Sequence, residues 1–121
     1  MPDGQWFKTL TGINRRGDMT FEDFMTHWSE VHAKLIQKNA RELGIVKYIQ
    51  IHRTSTSTGG STRQRYDGIA EVWYESEDHF RALGKSDSGR VAVRSVVEDQ
   101  RKFIGRETPL FKGYESAIIN G

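Results

Sequence analysis

A chain of 121 residues, 36% hydrophobic and 28% charged, has room for one core, and folding on this scale removes about two thirds of the unfolded chain's surface from water. Its 18 Lys+Arg against 16 Asp+Glu leave a net charge of only +2, spread from Lys8 to Lys112 without a long run, so no nucleic-acid partner is expected. Cysteine is absent, which excludes disulfides, thiolate nucleophiles and Cys-ligated metals and fits a reducing compartment. There is no apolar run long enough for a membrane span, and Met1-Pro2-Asp3-Gly4 lacks the basic-then-apolar pattern of a signal peptide. The expectation is a soluble cytoplasmic protein with one domain over residues 1–121 and no membrane partner.

Trp6 to Ile13 opens with aromatic and β-favouring residues and runs into the turn-rich Asn14-Arg15-Arg16-Gly17-Asp18, a strand and then a loop. Thr20 followed by Asp23 resembles a capping box, with Met19 and Phe24 at the staple positions, so a helix begins here and ends at Gly44. At about 100° per residue, Phe21, Phe24, Met25, Trp28, Val31, His32 and Leu35 share one stripe, with His32 inside it. Ile45 to Thr54 alternates as a strand, Val46, Tyr48, Gln50 and His52 on one face and Lys47, Ile49, Ile51 and Arg53 on the other.

Thr54 to Arg65 has no hydrophobic residue and reads as a flexible connection able to act as a lid over His52. Tyr66 to Tyr74 is a strand with Asp67, Ile69, Glu71 and Trp73 on one face and Gly68, Ala70, Val72 and Tyr74 on the other. Ser76 caps a second helical region with Phe80 and Leu83 inward; it is interrupted near Gly84-Lys85-Ser86 and resumes from Gly89 to Phe103 with Val91, Val96, Val97 and Phe103. Pro109 breaks the pattern, and Leu110 to Ile118 is a last strand.

The order β-α-β-β-α-β specifies an α+β, ferredoxin-like domain, a four-stranded antiparallel sheet with two helices on one side. The other sheet face needs a cover. A homodimer packed sheet to sheet supplies it, burying Ile49 and Ile51.

Phe21-Glu22-Asp23-Phe24, Trp28-x3-His32, Tyr48-x-Gln50-x-His52 and Tyr66-Asp67-Gly68-Ile69-Ala70-Glu71-Val72-Trp73 together resemble the EthD domain of the dimeric α+β barrel superfamily, over nearly the whole chain. The resemblance implies a ferredoxin-like protomer, a dimer, and a pocket between sheet and helices lined by the matching residues. It also implies small cofactor-free catalysts such as methylmuconolactone isomerases and polyketide-tailoring decarboxylases or dehydratases. Methylisomerase-like members are expected to carry a cysteine in the third strand, near the position of Val72; this chain has none, which speaks against cysteine-dependent lactone isomerisation.

His32 and His52 are the candidate catalytic pair, because imidazole titrates near neutral pH and can serve as base and as acid. His32 also suits a satisfied core histidine, and His52 a strand-end residue near solvent. Tyr48 and Gln50 are candidate donors to a ligand oxygen, although Tyr48 serves equally as a packing aromatic. Asp67 and Glu71 are candidates to orient a histidine, or else a turn residue and a half-exposed strand charge. Trp28 and Trp73 offer flat apolar area to an aromatic substrate or simply fill the core.

His27 and His32, five residues apart, stand about 140° around an α-helix and cannot converge as zinc ligands do, so no metal site is expected. His79 reads as an exposed first-turn residue. Thr58-Gly59-Gly60-Ser61 lacks the lysine and helix of a phosphate loop, so no nucleotide cofactor is expected, and no nucleophile elbow is present.

The leading reading is a cofactor-free lyase or isomerase, of decarboxylase, dehydratase or cyclase type, acting on a small aromatic or cyclic carbonyl compound from polyketide biosynthesis or aromatic catabolism. The alternatives are a non-catalytic carrier of a hydrophobic small molecule and an oxygen-using or haem-associated protein of the same superfamily.

Overall fold

The computed structural model of the protein describes residues 6–54, 65–116 and 118–119. Four strands, β1 (Phe7–Arg15), β2 (Ile45–His52), β3 (Gly68–Tyr74) and β4 (Ile104–Tyr114), form one antiparallel sheet in the order β2-β3-β1-β4. Between β1 and β2 run α1 (Phe21–Thr26), a π-helical turn (His27–His32) and α2 (Ala33–Leu43). Between β3 and β4 run α3 (Glu77–Arg81), a 3₁₀ turn (Leu83–Lys85) and α4 (Asp87–Phe103). This is the expected ferredoxin-like α+β topology. The segment expected to act as a lid lies outside the described residues, apart from its ends.

Local signals place the helices. The Thr20 hydroxyl accepts from the Asp23 amide at 3.1 Å, and the Ser76 and Ser86 hydroxyls accept from His79 and Gly89 at 3.0 Å, satisfying amides that the first turn leaves without partners. Gly44 closes α2 at φ 69°, in the left-handed region, and a Cβ there would also collide with the His79 ring. His79, in the first turn of α3 with its side chain 38% accessible, also packs over this helix end and lies 3.5 Å from Glu75.

Registers fix the two sheet faces. Phe7, Ile13, Ala70 and Tyr48 point to the helices: Ile13 and Ala70 share a core with Phe24, Trp28 and Phe103, and Phe7 stacks on Phe80 at 5.3 Å. By alternation Leu10, Ile49, Ile51, Ile69 and Phe111 lie on the opposite face, together with Glu71 and Trp73.

Several boundaries differ from the sequence expectation. The last strand is Ile104–Tyr114, starting directly from α4, and not Leu110 to Ile118. Pro109 sits inside it because β4 is an edge strand with a bulge: Thr11 faces Pro109 while Leu10 faces Phe111, leaving Leu110 as the extra residue. β1 extends through Arg15, whose amide donates to Asp67 Oδ2 at 2.8 Å, so Asn14 and Arg15 are strand and not turn. β2 ends at His52 and β3 begins at Gly68. On α4 the buried stripe is Ala92, Val96, Asp99 and Phe103, with Val91 exposed.

The first helical stretch carries the largest departure. From Phe24 to Ile36 its buried positions are Phe24, Trp28, His32 and Ile36, each four residues after the last, while Val31 is exposed and Leu35 only half-buried. In an α-helix each four-residue step drifts about 40° around the axis. The π turn absorbs that drift by adding a residue to one turn, with the Ala33 amide donating five residues back to the Trp28 carbonyl.

Candidate functional site

Gln50, from β2, donates its Nε2–H to the carbonyl of Trp28 at 2.8 Å, the same oxygen that receives the Ala33 amide. The Ser29 hydroxyl donates to the Met25 carbonyl at 2.7 Å, a back-bond of the kind that loosens helical pairing. The wide turn is thus tied to the sheet edge, and it has a consequence that an α-helix forbids. His27 and His32 come to the same side.

Both histidines meet Asp99 on α4. His32 Nδ1 lies 2.8 Å from Oδ2; His27 Nε2 lies 2.9 Å from Oδ1 and 3.1 Å from Oδ2. Phe103 flanks both rings, at 4.6 Å from His27 and 5.0 Å from His32. Burial pushes the Asp99 carboxyl up, but the hydrogen bonds from His32 and His27 outweigh it and hold the group below the usual carboxylate value. An ionised carboxylate only accepts, so both ring nitrogens donate. The proton of His32 is therefore on Nδ1, and Nε2 carries its lone pair.

His32 is 3% exposed, and burial lowers its pKa despite the opposing pull of Asp99, so it is neutral at pH 7. Nε2 has no hydrogen-bond partner among the described residues, and it is not among fully occluded polar atoms. It is a buried, oriented imidazole with a free lone pair, the arrangement a carboxylate–histidine dyad gives to a general base.

The other expected residues fall into two groups. His52 is on the helix side of β2, its Nδ1 3.3 Å from Met25 Sδ and its ring 4.8 Å from that of Trp28; burial lowers its pKa also. Trp28 is 0% exposed, wedged against Phe24 and against Gly68, where a Cβ would strike its ring. In this structure it is core beneath His52. Tyr48 and Gln50 line a groove of about 430 Å³ between α2 and β2, with Ala33, Ile36 and Ile45. Gln50 Nε2 lies 3.2 Å from the Tyr48 hydroxyl oxygen, which accepts, leaving the phenol proton for another partner. Burial raises the Tyr48 pKa, so that proton is retained at neutral pH.

Asp67, Glu71 and Trp73 do not join them. Glu71 and Trp73 are on the opposite face of the sheet, where Glu71 pairs with Lys8 at 3.0 Å and Trp73 donates to Glu115 beneath Lys8 and Lys47. Asp67 stands in the bend before β3 and accepts from Arg15 and Arg53, which in turn reach the Met19 carbonyl and the Phe21 ring. The carboxylate that orients a histidine is Asp99, and neither Asp67 nor Glu71 takes that part. The sequence signal for it exists: Asp99 stands in the helical stripe Ala92, Val96, Phe103, where a carboxylate needs a partner.

The convergence of His27 and His32 corrects the expectation that they cannot meet, although they meet on a carboxylate. Among the described residues no group of three or more His, Cys, Asp or Glu could hold a metal ion. No helix among them is long and apolar enough to cross a membrane.

Solved structures with this fold include an EthD family protein from Bacillus halodurans C-125, 20% identical, with a TM-score of 0.63 over 92% of this chain and 99% of that one. A dimeric ferredoxin-like protein from Thermobifida fusca YX is 14% identical, with a TM-score of 0.58 over 93% and 92%. SnoaB, a cofactor-independent oxygenase from Streptomyces nogalater, is 12% identical, with a TM-score of 0.52 over 96% of each chain. At these identities the likeness concerns the fold. No curated protein matches the sequence. The EthD domain profile matches residues 16–107, a span that holds the π turn, β2, β3 and Asp99, and the chain therefore belongs to the EthD domain family.

Proposed function

We propose that this protein is a cofactor-independent acid–base enzyme, a lyase or isomerase, acting on a small aromatic or cyclic carbonyl compound. One observation carries the reading: a buried neutral histidine whose Nδ1–H is held by a carboxylate and whose Nε2 is free. His32 Nε2 takes the proton beside the substrate carbonyl, the Tyr48 hydroxyl donates to the developing enolate oxygen, and the His32 imidazolium returns the proton at another atom. His52, at the exposed rim over Trp28, exchanges protons with solvent. A positioned base of this kind contributes about 10² to 10⁴ in rate.

Deuterium exchange at carbons next to the carbonyl, followed by NMR for a panel of cyclic 1,3-diketones and aromatic hydroxyketones, tests this directly. The wild-type protein is expected to speed exchange and His32→Gln to lose that acceleration. Equal exchange with both proteins removes the acid–base reading and leaves the carrier of a hydrophobic small molecule. A second reading draws on the oxygenase activity of the S. nogalater neighbour: an enolate made by His32 is a reductant for dioxygen. Oxygen consumption in the same assay separates oxygenation from proton transfer alone.

A further inference from the structure

We propose that His27 is a positioning residue for the base: by sharing the Asp99 carboxylate it restrains that group and governs how readily His32 accepts a proton. The inference rests on the reading of His32 as the base. It is a separate claim about a separate residue.

His27 Nε2 bridges both oxygens of Asp99, at 2.9 and 3.1 Å, while His32 Nδ1 uses Oδ2 alone at 2.8 Å. A carboxylate gripped at both oxygens cannot turn about its last bond without breaking one of these contacts, so the plane that orients the His32 ring is fixed from the His27 side. The sharing also divides the acceptor strength. A second N–H on the same carboxylate draws electron density from the bond to His32, which leaves its imidazolium less stabilised. Among the described residues, other charged groups near the cluster include Lys102, 3.9 Å from Oδ1, and Glu98 on α4, with Lys34 and Lys38 on α2 lining the same groove as Asp99.

The π turn gives the second line of argument. In an α-helix, residues five apart point about 140° away from each other, and Asp99 could hold only one of these histidines. The inserted residue brings the second one in. Such turns are uncommon and concentrate at functional sites. His27 is also the more exposed member, its side chain 21% accessible against 3% for His32, so it links the buried pair to solvent.

The test is an NMR titration of the imidazole rings, which needs no substrate, on wild type, His27→Phe and His27→Gln. Phenylalanine keeps a ring against Phe103 but has no N–H; glutamine carries an amide N–H at the reach of Nε2. His27→Phe is expected to move the His32 titration to higher pH, and His27→Gln to return it to the wild-type position. If His27→Phe does not fold, His27→Leu is read in its place. A His32 midpoint that stays put in the apolar variant, or that moves equally in the glutamine variant, overturns the proposal. The outcome is distinct from failure of the acid–base reading, because His32→Gln in the exchange assay decides that independently. Where both hold, the acid limb of the exchange rate shifts with the NMR midpoint in His27→Phe.

Discussion

His27 and His32 stand five residues apart, yet their donor nitrogens lie 2.9 and 2.8 Å from the two oxygens of one carboxylate, that of Asp99. The relationship exists because Trp28 accepts the amide of Ala33, five residues on, and because Gln50 reaches across from β2 to the same carbonyl. Helix geometry, sheet edge and candidate base are therefore one construction.

Replacing Asp99 by asparagine keeps the shape and removes the charge. The amide offers one acceptor oxygen and one donating NH₂ group where two donors now meet the carboxylate, so one histidine loses its partner or changes tautomer. A loss of about 2 kcal/mol in stability is expected from breaking a buried charge-assisted bond, read by urea unfolding. If the displaced ring is His32, acceleration of exchange falls about 10²-fold. Wild-type stability together with an unchanged His32 tautomer in ¹⁵N spectra would show that Asp99 does not hold the ring.

Gly68 faces Trp28 so closely that an added Cβ would lie within 2.4 Å of the indole, and the indole is fully buried with nowhere to retreat. Gly68→Ala is expected to cost about 1 to 3 kcal/mol, the range for overpacking a filled core, and to alter the near-ultraviolet signal of Trp28. Gly17, where an added Cβ would meet nothing within 4 Å, serves as the control, and Gly17→Ala should leave that near-ultraviolet signal untouched. Equal behaviour of the two variants would mean that Trp28 has room to move.

How much of this is readable in the chain depends on whether a local signal has a local cause. Thr20, Gly44, Ser76 and the alternation of Tyr48, Gln50 and His52 act within a few residues of themselves, so the helix starts, the fold and both faces of β2 are legible. The π turn is not, because its cause is partly the Gln50 side chain on another element; a uniform α-helix would turn Val31 and Leu35 inward and hold His27 away from His32. The sequence offers Asp67 and Glu71 as the orienting carboxylate, whereas the sheet sends Glu71 to the opposite face and Asp67 is held by Arg15 and Arg53. Pro109 suggests a break, since the edge position of β4 is a property of strand order that no local pattern contains.

The outer sheet face leaves Ile49, Ile51 and Phe111 37%, 42% and 63% exposed, and a second copy packed against it is the expected cover. Burying one such side chain contributes roughly 1.5 to 3 kcal/mol. Light scattering at micromolar concentration should return about twice the 13.9 kDa chain mass, and Ile51→Glu should shift it toward the monomer while leaving the circular dichroism unchanged. A monomeric wild type would count against the sheet-to-sheet dimer.

Acid should unfold the protein through the same cluster. Burial holds the His32 pKa below its ordinary 6.5, so as pH falls past 6.5 the unfolded chain takes up the proton before the folded one does. Unfolding then releases affinity for a proton that the native state lacks, and stability declines by at most about 1.4 kcal/mol per pH unit until the folded-state pKa is reached. The contribution is fully present above 6.5 and lost below it. Asp99 adds a second loss at lower pH, since its folded pKa lies under the ordinary 3.8 and its stabilisation disappears as the carboxylate is protonated. Urea unfolding at pH 7.5, 6.5 and 5.5 is expected to show a falling midpoint in wild type and a flatter dependence in His32→Gln, which has no proton to gain. A midpoint that rises between pH 7.5 and 5.5 would mean that the folded cluster binds the proton more tightly than the unfolded chain, so that His32 is held as imidazolium and not as the neutral base on which the proton-transfer reading depends.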